Sequence, residues 1–356
     1  MKNYLVVITI LAVAIIAGLA GLVVTYINGT SAVSDKSVEV NLEIKENQTY
    51  STLGSILYKN ELIKSELIYK IYIKLNTPNN LQKGMYKLNK NMNLKEILEV
   101  LKKGSNYNPD LIRITFKEGW NIRKIALEIE KKVGIDDQEV INTIANKTYL
   151  NELINKYWFL EDTILDSKIY YPLEGYLFPE TYEISKKNSV EEIIEILLNH
   201  TNKILTEHKK EIENSKYTIH EILTLASLIE LEAGAKVDRA GVAGVFYNRL
   251  NAGWSLGSDV TTYYASKIDD WRYSLTYKEL NDCNNSYNTR CKTYVGLPIG
   301  PIANPGSVSI VASIKPSIHN YYYFVADCKG KTYLNTNASG HANIINKLKQ
   351  ENNWCA

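Results

Sequence analysis

The 356-residue chain is poor in the residues that hold metals. Its four cysteines, Cys283, Cys291, Cys328 and Cys355, contain no C-x-x-C pair, which argues against zinc or thioredoxin-like chemistry. The five histidines lack ligand spacing, so no metal and no cofactor are expected. Net charge is only +2, too little for a nucleic-acid footprint. Phenylalanine is scarce, at 5 against 26 tyrosines. Tyrosines suit a sugar-binding surface, but they serve any core or interface equally well.

One absence has a location. Asn3 to Ser34 contains no charged residue, and Leu5 to Ile27 is almost wholly apolar. A run of roughly 20 apolar residues crosses the hydrocarbon core of a bilayer. With Lys2 and the α-amino group before it, the positive-inside rule keeps that end cytoplasmic and the remainder outside. A cleaved signal peptide is the rival reading, but its apolar region is usually shorter, about 7–15 residues. An uncleaved single-pass anchor is therefore expected. No cysteine lies nearby to carry a lipid. Outside the membrane disulfides are permitted, and Cys283–Cys291 with Cys328–Cys355 is the simplest of the three connectivities.

The expected organisation is an anchor over 1–28, a linker over 29–37, and a first α/β module over 38–105. A second, longer unit follows over 106–216, and a loop-rich catalytic domain over 217–356. The two α/β units form a diverged repeat. Ile44-Lys45-Glu46 and Phe116-Lys117-Glu118 each precede a helical pattern, and the helices beginning at Asn93 and Ser189 close each unit. Both closing helices carry a capping-box Glu three residues on. Each unit reads strand, helix, helix, strand, helix, with an insertion around 147–167 in the second. At a cell surface the first suggests a LysM-like wall-binding module, although a plain spacer fits the same pattern.

Ile222 to Ala233 reads as a helix, with Thr218 as N-cap and Gly234 as breaker. It carries Glu230 and Glu232, about 200° apart around the axis. Glu232 prolongs an apolar stripe made by Leu225, Leu228 and Ile229, and it lies in the last turn. Desolvation and the negative helix end both raise its pKa, as a general acid needs. Small residues Ala233, Gly234 and Ala235 leave room beside it. The alternative is an ordinary helix-end glutamate paired with Arg239. Downstream lie a Gly-rich turn from Gly253 to Asp259, a polar loop from Ser286 to Thr289, and a Gly/Pro-rich loop from Gly296 to Gly306. The last has few charged side chains, which suits a neutral sugar polymer.

Six ordered motifs then resemble the YceG-like or MltG family of endolytic murein transglycosylases. They are Leu173 to Tyr182, Ala226 to Ala233, Val245 to Leu250, Leu256 to Asp259, Tyr287 to Thr289 with Gly296 to Gly306, and Tyr323 to Ala326. Gly257 stands where the family often has Gln, Val260 where it often has Pro, and the stretch from Thr289 to Gly296 is longer than usual. The resemblance implies an α+β fold: a transmembrane helix, a LysM-like module and a mixed α+β catalytic region. It implies a lytic cut of the MurNAc–GlcNAc β-1,4 bond of nascent peptidoglycan by one glutamate, carried onto Glu232 with Glu230 in reserve. Glu174, Tyr176, Asn248, Ser258, Asp259, Tyr287, Asn288, Thr289 and Asn304 are the candidate substrate-binding residues. Expected partners are glycan strands, the membrane and cell-wall synthases. Two rivals remain: a hydrolase whose second carboxylate is Asp259 or Glu174, and a non-enzymatic wall-binding scaffold.

Overall fold

The computed structural model describes residues 2–46, 48–76, 81–234, 236–291 and 293–354, which fall into two compact units, 1–110 and 111–356. The first unit begins with α1 (Lys2–Thr30), whose span Tyr4–Thr30 has a mean hydropathy of 2.9 and no buried face. At ~1.5 Å per residue this helix is long and apolar enough to cross a membrane. Then follow β1 (Glu39–Ile44), α2 (Tyr50–Lys59), α3 (Glu66–Asn76), β2 (Gly84–Asn89) and α4 (Leu94–Lys103). β1 and β2 pair antiparallel, from Glu39 opposite Asn89 to Ile44 opposite Gly84. The helices close a small core around Leu53, Leu57, Tyr86, Leu88, Ile97 and Leu101. The expected capping box of α4 is formed by Asn93 and Glu96.

The second unit repeats the order before departing from it. β3 (Leu111–Thr115) is followed by α5 (Ile122–Val133), α6 (Asp137–Ile144), α7 (Lys147–Lys156), β4 (Thr181–Ser185) and α8 (Val190–Glu207). β3 and β4 pair antiparallel from Leu111 opposite Ser185 to Thr115 opposite Thr181. α7 and a turn at Asp162–Leu165 fill the expected insertion. The rest comprises α9 (Lys209–Glu213), α10 (Ile219–Glu232), α11 (Arg239–Asn251), α12 (Asp259–Ala265), α13 (Tyr277–Leu280) and α14 (Ser307–Ile314). A terminal β5 (Tyr323–Ala326) and β6 (Thr332–Asn335) hairpin precedes α15 (Ala338–Gln350).

The second repeat and the loop-rich region are thus one compact unit, and α10 is the reason. Thr218 and Glu221 form its capping box. The helix has no amphipathic stripe of the expected kind, since every residue from Ile219 to Ile229 except Glu221 is buried. A helix apolar all round belongs inside a fold. Ile219, Ile222, Leu223 and Ala226 enter the core shared with β3, β4 and α8, while Leu225, Leu228 and Ile229 enter a second core with α11 and α12. Its C-terminal end, from Glu230 to Glu232, is only partly buried.

The Gly/Pro-rich loop is buried scaffold rather than a sugar-facing surface. Asn304 donates its backbone and side-chain N–H groups to Trp120 O, and its own carbonyl accepts from Gly119. Pro301 packs on Gly175, where φ is +85° and an added Cβ would lie 2.3 Å from Pro301 Cβ, so only glycine fits. His220 donates from Nε2 to the Ile299 carbonyl at 2.8 Å, which leaves Nδ1 to accept from the Tyr176 hydroxyl at 2.8 Å.

Candidate active site

Glu230 and Glu232 leave α10 in different directions, as their spacing requires. Glu230 turns toward α11 and α14 into a saturated network. Its Oε1 pairs with Arg239 Nη2 at 3.1 Å, and its Oε2 accepts from Gly306 N at 3.0 Å and Ser309 Oγ at 2.8 Å. Both side chains of the ion pair are about nine-tenths buried. Arg239 was the partner that would have made Glu232 an ordinary helix-end glutamate; it belongs to Glu230.

Glu232 turns instead to the Gly-rich turn before α12. Ser258 Oγ donates to its Oε1 at 2.5 Å. The half-buried side chain lines an open cavity of about 430 Å³ together with Gly234, Lys236, Val237 and the β5–β6 turn from Ala326 to Gly330. An added Cβ at Gly234 would meet nothing within 4 Å, so the room expected beside the carboxyl is present there. Ala235 lies outside the described residues. Burial pushes the Glu232 pKa above the ordinary carboxyl range and the Asp259 charge adds to the rise, whereas the Ser258 hydrogen bond, Arg249 and Arg290 oppose it.

The turn that carries Ser258 is held from several sides. Gly257 N donates to Thr289 O at 3.0 Å, Ser258 N to Thr289 Oγ1 at 3.3 Å, and Ser255 Oγ to Thr289 O. Arg249 on α11 donates through Nη1 to Leu256 O at 2.6 Å and through Nε to Tyr322 O at 2.7 Å. Asp259 opens α12 and pairs with Arg290 Nε at 2.8 Å. The Cys283–Cys291 disulfide is present and closes the loop that carries Tyr287 to Thr289 and Arg290. The second pairing, Cys328–Cys355, lies outside the described residues because Cys355 does.

Among the expected substrate-binding residues, Ser258 and Asp259 stand beside Glu232, and Thr289, fully buried, supports the Ser258 turn from within. The others are scaffold. Glu174 is 1% exposed and accepts from Ile122 N, Tyr264 Oη and Asn304 Nδ2 at 3.0–3.2 Å. Burial pushes its pKa up to about 8. Neither sugar nor an attacking water can reach it, so it cannot be a hydrolase's second carboxylate. Tyr176, Tyr287, Asn288 and Asn304 are at most 1% exposed. Asn288 is consumed by Thr262 Oγ1 and the Glu279 and Asp282 carbonyls. Asn248 donates to the His319 and Tyr321 carbonyls. Sequence reasoning missed Arg249, the neighbour of Asn248 in the same motif, although a cation beside a carboxylic acid was the signal to seek.

Among the described residues three carboxylates, Glu130, Asp136 and Asp137, lie within 4.8 Å of one another. Asp136 caps α6, and a solvated acidic group at a helix N-terminus needs no ion to explain it.

The YceG-like family model matches residues 42–347. The chain belongs to the YceG-like family. It is 35% identical over 319 residues to a protein of Bacillus subtilis (strain 168) named endolytic murein transglycosylase, covering 89% of this chain and 86% of that one. A Streptococcus pneumoniae (serotype 2, strain D39) protein of the same name is 32% identical over 313 residues, and there the match spans 57% of the relative's length. A 2.6 Å crystal structure of a putative YceG-like protein from Listeria monocytogenes superposes with a TM-score of 0.61 at 31% identity, over 87% of this chain and all of that one.

Proposed function

We propose that this YceG-like protein is a membrane-anchored peptidoglycan lytic transglycosylase in which Glu232 is the single acid–base group. That it is an enzyme of this class follows from its relatives, which are named endolytic murein transglycosylases over most of this chain's length. The observation that carries Glu232 is its placement. It is a carboxyl with a raised pKa, at a cavity wall, beside two arginines and one hydroxyl, while Glu230 is locked into an ion pair.

The substrate reading is the β-1,4 bond between N-acetylmuramic acid and N-acetylglucosamine in nascent strands. Protonated Glu232 gives its proton to the glycosidic oxygen, and the C1–O bond breaks. The resulting carboxylate accepts the proton of the muramic acid 6-hydroxyl as that oxygen bonds to C1. The ends are a free 4-hydroxyl and a 1,6-anhydro sugar, and no water is consumed. Ser258, Arg249 and Arg290 favour the carboxylate and so ease the proton release of the first step, while burial and Asp259 keep the group basic enough to accept a proton in the second. An inverting or retaining hydrolase needs a second carboxylate opposite the first. With Glu174 buried, Asp259 is the remaining candidate, and Arg290 holds it as an ion pair. On this reading α1 is a single-pass anchor with its N-terminus cytoplasmic, and the enzyme works outside the membrane on strands made by the cell-wall synthases. Wall contact by residues 38–105 rests on their strand–helix–helix–strand order. The test is the mass of the cleaved ends, which should be one water lighter than hydrolytic ends.

The hydrogen bond from Ser258 also sets a pH dependence. The first step needs protonated Glu232, so kcat/KM falls as pH rises through the Glu232 pKa. Ser258→Ala removes a bond that favours the charged form, which raises that pKa further. The alkaline limb should therefore move to higher pH in Ser258→Ala. A limb that stays in place or moves to lower pH contradicts the bond's assigned effect.

A further inference from the structure

The Gly-rich turn carries one side chain that the mechanism above does not use. Trp254 lies four residues before Ser258, at most about 14 Å along the backbone. It is 42% exposed. Its ring leans on Tyr322 at 4.8 Å between centroids and reaches Tyr323 at 6.2 Å. Trp254 N donates to Arg249 O at 2.9 Å, and the Arg249 guanidinium lies 5.4 Å from the Tyr323 ring. The same guanidinium holds the Leu256 carbonyl, and Ser258 holds Glu232. The exposed ring is therefore tied to the carboxyl through one short, hydrogen-bonded segment. Between them stands Gly257 with φ +62°, where an added Cβ would meet nothing within 4 Å. The position carries no side chain to obstruct a polymer lying along the turn.

We infer that Trp254, backed by Tyr322 and Tyr323, is a sugar-stacking subsite for the glycan strand on one side of the Glu232 cavity. This rests on the reading of Glu232 given above. A pyranose presents an apolar face of C–H bonds and a polar rim. A rigid aromatic ring matches the face, and nearby hydroxyls and backbone groups serve the rim. Two neighbouring rings and a backbone hydrogen bond restrain Trp254 before binding, so little freedom is lost when a sugar stacks on it. The subsite would set how firmly a strand is held beyond the cleaved bond.

The test uses the full-length chain in detergent with Glu232→Gln as parent, so that strands bind without being cut. Binding of fluorescently labelled, soluble, uncrosslinked glycan strands is followed by anisotropy. Trp254→Ala should weaken binding about tenfold, within the range expected for loss of one aromatic stacking partner. Trp254→Phe should restore most of it, which a merely loosened loop would not do. With Glu232 intact, Trp254→Ala should raise KM while leaving kcat nearly unchanged. Binding by Trp254→Ala within twofold of the parent overturns the inference. So does failure of Phe to rescue, and so does a folded parent that binds no strand, because its platform is whole. The assignment of Glu232 is judged separately, by whether the parent forms product.

Discussion

Glu232→Gln is expected to lose more than 100-fold in cleavage rate while melting as the wild type does. One general acid–base group contributes roughly 100- to 10,000-fold, and here one residue serves both proton transfers. Gln keeps the shape and still accepts the Ser258 hydroxyl, but it has no acidic proton to give. Glu230→Gln is the internal control and should behave in the opposite way. Its carboxylate neutralises a buried Arg239 whose Nε has no hydrogen-bond partner among the described residues, so removing the charge lowers the melting temperature while activity falls less. Rates of anhydro-ended product formation with melting curves for both variants check this. A dead Glu230→Gln beside an active Glu232→Gln would move the acid by two residues.

The second large effect is on stability. Glu174→Ala should destabilise the unit by about 3–5 kcal/mol, because it strands two or three buried donors at ~1–3 kcal/mol each. Those donors belong to Ile122 at the start of α5, Asn304 in the Gly/Pro loop and Tyr264 on α12. At about 2–4 °C per kcal/mol for a unit of this size, the melting point should fall by about 10 °C. Glu174→Gln should cost far less, since the amide can donate to Tyr264 Oη and its oxygen can still accept from Ile122 and Asn304.

The pH dependence of that pair follows from the raised pKa. The folded state holds the Glu174 proton up to about 8, well above the ordinary carboxyl value of 4.5. The folded chain therefore binds more protons than the unfolded one across that window, and stability from this group falls as pH rises through it. Wild type should lose ground to Glu174→Gln between about pH 5 and 8 in melting experiments. A wild type that gains ground instead would show that the carboxyl is ionised in the fold.

These two glutamates also show how far the sequence could be read. α10 was legible because its signals are local: Thr218 and Glu221 cap it, and Gly234 follows its end. The paired βααβα units were legible for the same reason, through capping residues and helical periodicity, and the Cys283–Cys291 bridge through short spacing. Glu174 was misjudged because its partners lie 52, 90 and 130 residues away, and no local pattern reports them. The motif around it marks a constraint without saying whether that constraint is burial or chemistry. Tyr287, Asn288 and Asn304 failed as surface residues for that reason. Each sits in a turn-rich stretch that reads as exposed, yet each is buried and hydrogen-bonded inside. Arg239 illustrates the reverse case. It follows Glu232 by seven residues, at the start of the next helix, but the 200° between Glu230 and Glu232 hands it to the other glutamate.

If a single carboxyl cuts the strand without water, digestion in water enriched in heavy oxygen leaves both new ends unlabelled. Uncrosslinked glycan strands are cleaved by the full-length wild type in that water, and the new ends are weighed. Anhydro ends that carry no heavy oxygen are expected, because the 6-hydroxyl of the sugar itself closes on C1. Heavy oxygen incorporated at the new reducing ends would contradict it, and would assign the enzyme to hydrolysis with a second group activating water.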